Sequence, residues 1–221
     1  MNAIHEVFGQ HIRIQDCFFH LSQNTWRKIQ SLGLQDHYNV DDDFRLFCGM
    51  LDGLAFLPVN DVPQGMQYLK QNVPDGAQEL IEYFDETYVS GSFRRIRAQE
   101  GRIRFRRIAP RFPPEIWNVS ESTLKGGPRT NNHCEAWNNG FLKMAGQKHP
   151  SFWRAVELLQ LDTAVVATDI MRNSIGDAPQ KRVKKTAVKQ QQRLRTLCTD
   201  YASDLKSIED FLRGVGHNIR F

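Results

Sequence analysis

Glu135 is the side chain in this sequence whose position best suits chemistry, because it lies in the first turns of a predicted helix. Residues 126–128, Gly-Gly-Pro, end any preceding helix, and residues 130–132, Thr-Asn-Asn, can cap a new one. An apolar stripe at helical spacing follows, made of Cys134, Trp137, Phe141 and Met144. Such a helix can present Glu135 as a metal-binding carboxylate. Glu135 can also be only a first-turn acid, which the helix dipole favours and which reaches back to an Asn132 cap.

Cys17 and His20 form a Cys-x-x-His pair, which is a plausible half-site for zinc. The only comparable pair is His133 and Cys134, and nothing in the sequence brings the two pairs together. We therefore favour a structural interpretation, in which Cys17 is buried and His20 forms a hydrogen bond that fixes the turn between a strand and a helix.

Basic side chains are concentrated in two stretches. In the first, arginines alternate with apolar residues, and Glu100-Gly101 could form the turn of a hairpin. Its arginines are Arg94, Arg95, Arg97, Arg102, Arg104, Arg106 and Arg107. The second stretch contains Lys181, Arg182, Lys184 and Lys185. Guanidinium groups bind phosphate oxygens in a fork, so we expect nucleic-acid contact. The alternatives are a flexible loop, a solvated surface, pairing with the acidic part of the chain and, for the second stretch, a nuclear-import signal.

Three blocks of sequence resemble the Mutator-like element transposases. Residues 129–139, Arg-Thr-Asn-Asn-His-Cys-Glu-Ala-Trp-Asn-Asn, are similar to that family's Arg-Thr-Asn-Asn-x-x-Glu motif. Residues 16–28 resemble its Gly-Cys-x-Phe-His segment, with Asp16 in place of the usual Gly, and residues 112–118 resemble the run before its Glu-bearing helix. The blocks follow the family's order, and the likeness runs from residue 1 to about residue 160.

The resemblance implies a transposase that cleaves and joins DNA with an Asp-Asp-Glu triad and two divalent ions. Glu135 would be the third acid and a metal ligand. The other family-motif residues are Cys17, His20, Arg129, Thr130, Asn131 and Asn132. The family's two Asp residues precede the Cys-x-x-His segment, and residues 1–8 resemble the helix after the second Asp. We therefore expect this sequence to carry one acid of the three.

The complete enzyme would use Mg²⁺ or Mn²⁺, because hard cations take oxygen ligands and two ions assist in-line phosphoryl displacement. For this chain alone we expect no bound metal and no transposase activity. The alternative function is a retained, non-catalytic module that binds DNA or another protein.

Composition and charge limit the class of protein. The chain has 221 residues, of which 40% are hydrophobic and 24% charged, which suits one large folded domain or two small ones. No apolar run reaches the about 18 residues that span a bilayer, and the start does not resemble a signal peptide. Four scattered cysteines suit reduced thiols, so we expect a nuclear or cytoplasmic protein.

The charge is unevenly distributed along the chain. Residues 1–90 hold 5 Lys and Arg against 13 Asp and Glu, whereas residues 91–221 hold 24 against 12. This asymmetry favours a polyanion as the partner of the C-terminal half. We expect DNA as that partner, leave self-association open as a further contact, and expect no membrane.

The fold class expected is α+β and mostly helical. The resemblance implies a partial RNase H-like core interrupted by a helical insertion. Residues 1–33 would form a strand near residues 11–19 and a helix from about His20 to Gly33. Residues 34–127 would form the insertion, with acids capping a helix at residues 41–43, helices at about 61–72 and 76–88, and an Arg-rich ribbon or loop. Residues 128–148 would form the Glu-bearing helix. Residues 149–221 would form a helical hairpin, with helices ending at about Arg172 and Arg213.

Overall fold

The computed structural model describes residues 2–9, 11–12, 14–97, 103–177 and 184–220. For six of them it describes the backbone alone: Asn2, His5, Ile96, Arg97, Ile103 and Arg104. The described chain is mostly helical and contains one two-stranded antiparallel sheet, so the α+β, mostly helical class is confirmed. Within these ranges, no helix combines the length and the apolar character needed to cross a bilayer.

Six helices precede the sheet and six follow it within the described ranges. The first six are α1 (Asn2–Phe8), α2 (Phe18–Ser31), α3 (Gln35–Val40), α4 (Asp42–Gly53), α5 (Val62–Gln71) and α6 (Gln78–Phe84). The strands are β1 (Ser92–Arg97) and β2 (Ile103–Ile108). The later helices are α7 (Pro114–Trp117), α8 (Ser120–Leu124), α9 (Asn132–Ala145), α10 (Phe152–Ser174), α11 (Lys185–Ala202) and α12 (Ile208–Arg220). Short 3₁₀ turns lie at Leu54–Phe56 and Val59–Asp61, and a π-helical turn at Asp85–Val89.

Two compact units make up the chain. The first comprises Met1–Thr130 together with Val188–Phe221, and the second comprises Asn131–Ala187. The hydrophobic core lies in the first unit. The four-part division of the chain and the RNase H-like core stay predictions.

The core of the first unit is built on α4 and α12. Asp41 caps α4, because its Oδ1 accepts hydrogen bonds from the N–H groups of Asp43 (2.9 Å) and Phe44 (3.1 Å), as predicted for the acids at residues 41–43. Glycines let α12 approach α4 closely, since a Cβ added to Gly49 would lie 2.9 Å from the Cα of Gly216. The two helices bury Phe44, Phe47, Leu51, Phe211, Leu212 and Val215, among others.

A polar network is buried between three helices of this core. Asp52 of α4 has no exposed surface, and it accepts hydrogen bonds from Ser22 Oγ (2.7 Å) and Thr25 Oγ1 (2.7 Å) of α2. It also forms an ion pair with the guanidinium of Arg220 at the end of α12. Both carboxylate oxygens therefore have partners, as a buried charge requires.

The second unit contains α9 and α10. Gly146 ends α9 in the left-handed conformation (φ 70°), and Ser151 caps α10 by accepting a hydrogen bond from the N–H of Arg154. The two helices are linked where Trp137 Nε1 donates to Asp162 Oδ2 at 2.9 Å. The ring of Trp137 stacks on Phe141, with centroids 5.3 Å apart. Of the apolar stripe predicted on α9, Trp137 and Phe141 are in contact, but no residue of α9 is fully buried.

Several helices predicted from the sequence are confirmed. The helix α2 buries Leu21 and Ile29 and is followed by Gly33 at φ +70°. The helices α5 and α6, with the π-turn, cover the two helices predicted at about 61–72 and 76–88. The helix α10 covers the predicted helix to about Arg172, although Ser151 rather than Pro150 marks its start.

Two element predictions are wrong. The described residues near 11–19 form no strand. Phe18 and Phe19 already belong to α2, Asp16 N–H donates to Ile116 O, and no neighbouring strand offers a ladder among the described residues. The single helix predicted to reach Arg213 is broken into α11 and α12. Asp204 takes a left-handed φ of 56°, and Ser207 Oγ accepts from the N–H of Asp210, which starts the new helix.

Candidate nucleic-acid interface

A two-stranded ribbon, β1 and β2, carries the densest group of arginines. The two strands are antiparallel, so the prediction of a ribbon is confirmed and the alternative of a flexible loop is wrong. The turn predicted at Glu100-Gly101 lies outside the described residues. Trp117 holds the two ends of the ribbon to the core. Its Nε1 donates to Tyr88 O (3.1 Å), just before the ribbon, and to Phe112 O (2.9 Å), just after it.

An aromatic cluster supports this attachment. The rings of Tyr88 and Phe112 stack at a centroid distance of 5.6 Å and an interplanar angle of 22°. Trp117 is 1% exposed, and Phe84 lies edge-on to it at 6.3 Å. The N–H of Phe112 donates to Thr87 O at 3.1 Å. The prediction that the segment around Phe112 and Trp117 fixes this part of the chain to the core is therefore confirmed.

Gly91 makes the close approach at the base of the ribbon possible. Its φ is +76°, and a Cβ added there would lie 2.0 Å from the carbonyl oxygen of Ile108 and 2.7 Å from the nitrogen of Pro110. Only glycine combines this conformation with this approach.

The strand register sorts the arginines between two faces. Arg94 lies directly opposite Arg106 on one face. On the other face Phe93 lies opposite Arg107, and Arg95 lies opposite Phe105. All four arginines are exposed, and Arg107 also donates to Ser90 O (3.2 Å from Nη2).

The remaining predicted nucleic-acid residues are placed only in part. Arg97 pairs with Ile103, and Arg104 pairs with Ile96, in the backbone register, whereas their side chains are outside the described residues. Arg102, Lys181 and Arg182 also lie outside the described residues. Lys184 and Lys185 are exposed at the start of α11.

The structure brings residues of the first two motif blocks together with Arg129, the first residue of the third block. The N–H of Phe18, next to Cys17, donates to Arg129 O at 3.0 Å, and Asp16 N–H donates to Ile116 O. The guanidinium of Arg129 lies 5.4 Å from the ring centroid of Phe56, and burial lowers the pKa of Arg129, with Cys198 acting in the opposite direction. The first unit therefore brings together residues 16–20, residues 112–118 and Arg129.

Cys17 and His20 line a cavity of about 270 Å³ at this junction. Burial raises the pKa of Asp16, while the nearby His20 partly offsets the rise. Asn24 Nδ2 donates to Tyr88 Oη across the same cavity at 3.4 Å. Its lining is Asp16, Cys17, His20, Leu21, Asn24, Tyr88, Phe112 and Trp117. Cys17 is half-buried and His20 is exposed, so the prediction of a buried Cys17 is met only in part.

Glu135 lies exposed in the first turn of α9. The cap of this helix is Asn131 rather than Asn132, and the Asn131 side chain makes no capping hydrogen bond. The N–H of Glu135 donates to Asn131 O at 3.0 Å. Across the described ranges, no group of three or more His, Cys, Asp or Glu side chains is arranged to hold a metal ion.

Comparison of the chain with known protein families, with curated proteins and with solved structures gave no match. The transposase resemblance therefore rests on the motif blocks themselves, and it enters below as a proposal.

Two features of the site were missed by sequence reasoning. Phe93 was not recognised as a partner of the arginines, because its position opposite Arg107 depends on the strand register, which the alternation of residue types does not specify. The bond between Phe18 and Arg129 had no local signal, since 111 residues separate the two.

Proposed function

We propose that this chain binds DNA as part of the catalytic region of a Mutator-like transposase. The observation that carries the proposal is the pair of Arg94 and Arg106, which stand directly opposite each other on an exposed ribbon. Like charges placed opposite each other destabilise a sheet. A phosphate between the two guanidinium groups would remove this repulsion and accept their hydrogen bonds.

The charge of the ribbon favours a polyanion over a protein surface of mixed charge. Neither described strand contains an Asp or Glu, and the ion pairs formed among the described residues involve other basic side chains. The stacked Tyr88–Phe112 pair and the Trp117 hydrogen bonds fix the base of the ribbon. A fixed base limits the entropy lost when the arginines contact a ligand.

Contacts between residues of the motif blocks support the transposase part of the proposal. In the first unit the block at residues 16–28 contacts Ile116 of the second block and Arg129, the first residue of the third. In the proposed enzyme Phe18 and Arg129 belong to the partial RNase H-like core, and residues 34–127, which include α3–α6, the ribbon and Ile116, form its insertion. Glu135, exposed near the start of α9, would supply the third acid.

The described residues do not by themselves fit the divalent ions of the complete enzyme. Mg²⁺ takes oxygen ligands in near-octahedral geometry, whereas the described ranges offer no cluster of three candidate ligands. The proposed contribution of this chain is therefore DNA binding. Incubating the purified chain with duplex DNA and Mg²⁺ or Mn²⁺ tests this assignment. We expect no cleavage; cleavage that Glu135→Gln abolishes would contradict it.

The DNA-binding proposal is tested by fluorescence anisotropy with a labelled 20-base-pair duplex. Replacing Arg94, Arg95, Arg106 and Arg107 by Gln should weaken binding at least about 10-fold, since each guanidinium contacts a phosphate. The matched control removes four exposed positive charges elsewhere in the first unit: Arg27, Lys125, Arg195 and Arg213, each changed to Gln. Equal losses for the two variants would mean that net charge, not the ribbon, controls binding.

A second candidate function is protein interaction, which the surface of α10 favours. Phe152, Trp153 and Met171 are about 70% exposed, and Ile170 and Val165 are also exposed. Large exposed apolar side chains on one helix are typical of a contact surface. Light scattering over a range of concentrations tests self-association. A concentration-dependent mass that Trp153→Ser abolishes would support this function, and a constant monomer mass would contradict self-association.

A further inference from the structure

We propose that the ribbon face carrying Phe93 and Phe105 binds unpaired bases of single-stranded nucleic acid. This inference rests on the proposed function, because it adds a single-strand binding mode to the DNA binding by the arginines of the ribbon. The structural basis is an alternation of aromatic and cationic side chains across two strands.

The register places two phenylalanines and two arginines in a checkerboard. Phe93 lies opposite Arg107, and Phe105 lies opposite Arg95, so each ring has a guanidinium across the ribbon and the two rings are diagonal neighbours. Phe93 is 71% exposed and Phe105 is 69% exposed. Exposing two phenyl rings to water costs free energy, which a ligand that covers the rings would recover.

The positions of Phe93 and Phe105 on the ribbon suit bases that are not stacked on each other. Diagonal residue positions across antiparallel strands lie about 7–8 Å apart. Successive bases of a regular helix rise by about 3.4 Å, so a duplex has no base faces available at this spacing. A single strand with splayed bases can lay one base on Phe93 and another on Phe105.

The arginines of the same face supply the second half of the recognition. Arg95 and Arg107 would contact the phosphates on either side of the stacked bases, and Arg107 is already oriented by its hydrogen bonds to Ser90 O (3.4 Å from Nε and 3.2 Å from Nη2). Proteins that bind single strands combine aromatic platforms with basic side chains in this way. The opposite face of the ribbon carries Arg94 and Arg106 directly opposite each other. Among its described side chains there is no exposed phenyl ring.

The test compares a 20-nucleotide single strand with the duplex of the same sequence, using the whole chain. The variant Phe93→Leu/Phe105→Leu keeps apolar side chains but removes the aromatic faces. We expect it to weaken single-strand binding at least about 5-fold and to leave duplex binding unchanged. Phe93→Trp/Phe105→Trp should keep or strengthen single-strand binding. The matched control, Phe8→Leu, changes an exposed phenylalanine outside the ribbon and outside the motif blocks, and should have no effect.

The outcomes separate this inference from the proposed function. If the wild-type chain binds DNA but the Leu variant binds the single strand as tightly as wild type, the stacking inference is overturned and DNA binding stands. Equal weakening for single strand and duplex also overturns it. If the wild-type chain binds neither form, both proposals fail. If the Leu variant loses only self-association, measured by light scattering, the face is a protein contact and the inference is overturned.

Discussion

Asp52 and Arg220, 168 residues apart, form a buried ion pair that joins α4 to the end of α12. Burial alone lowers the pKa of Arg220, but the charge of Asp52 and the neighbouring Tyr38 raise it overall, so the guanidinium stays charged. Replacing Arg220 by Met would leave a buried carboxylate without its cation. We expect the free energy of unfolding, measured with urea and circular dichroism, to fall by about 3–5 kcal/mol.

The control for this prediction is an exposed ion pair. Lys125 and Glu121 are 72% and 50% exposed and lie four residues apart. Glu121→Gln should change the free energy of unfolding by no more than about 1 kcal/mol. Similar losses for the two variants would show that the Asp52–Arg220 pair has no special role in joining α12 to the core.

Gly91 is predicted to be essential for the base of the ribbon. In Gly91→Ala the new Cβ would collide with Ile108 O, so the backbone must move. We expect lower stability in urea and weaker DNA binding. Gly33→Ala is the control, because Gly33 has a similar φ of +70° but no atom within 4 Å of the added Cβ. It should lose only about 1–2 kcal/mol and keep DNA affinity. Equal DNA affinity for both variants would argue against a role for Gly91 in the interface.

Asp41 is predicted to make stability depend on acid pH. The N–H of Phe44, the His37 side chain and the N–H of Asp43 lower the pKa of Asp41 below 3.8, against a smaller effect of burial. The ionised carboxylate therefore stabilises the fold above the ordinary pKa, and this contribution is lost as the pH falls through the lowered value.

The corresponding measurement is the Tm of Asp41→Ala and wild type at pH 7, 5 and 3. The variant should melt lower at pH 7 and pH 5, and the difference should begin to shrink below about pH 3.8. Asp41→Asn, which keeps a capping oxygen, should lose less at pH 7. A difference that stays constant down to pH 3 would contradict the assignment.

Cys134 is predicted to react much faster than Cys48 and Cys198. Burial raises the pKa of the Cys48 and Cys198 thiols to about 12, whereas Cys134 is exposed. Iodoacetamide at pH 8 should therefore modify Cys134 in the folded chain and leave Cys48 and Cys198 unmodified until guanidinium unfolds the protein. Peptide mass spectrometry measures the modification. Fast labelling of Cys198 in the folded chain would mean that α11 does not pack as described.

Local patterns were sufficient to predict most helices and the ribbon. Asp41, the alternation of Arg and apolar residues in residues 94–107, and the Phe112–Trp117 segment each carry a signal within a few residues. The break between α11 and α12 also had a local signal, because Ser207 and Asp210 have the spacing of a helix cap. That signal was overlooked in favour of the longer apolar periodicity.

Long-range partners could not be predicted in the same way. The buried contacts of Asp52 with Thr25 and Arg220 depend on how three helices meet, and no local pattern encodes this meeting. The approach of Gly49 to Gly216 is of the same kind. The strand expected near residues 11–19 failed for a related reason, since alternation favours a strand only where a neighbouring strand can pair with it.

The most direct test of DNA binding by the ribbon is the salt dependence of affinity for the 20-base-pair duplex. The slope of log K against log salt falls by about 0.9 for each phosphate contact that is lost. The variant with Arg94, Arg95, Arg106 and Arg107 changed to Gln should therefore give a clearly shallower slope than wild type. The variant with Arg27, Lys125, Arg195 and Arg213 changed to Gln should keep the wild-type slope. An unchanged slope for the ribbon variant would contradict the proposal that these arginines contact DNA.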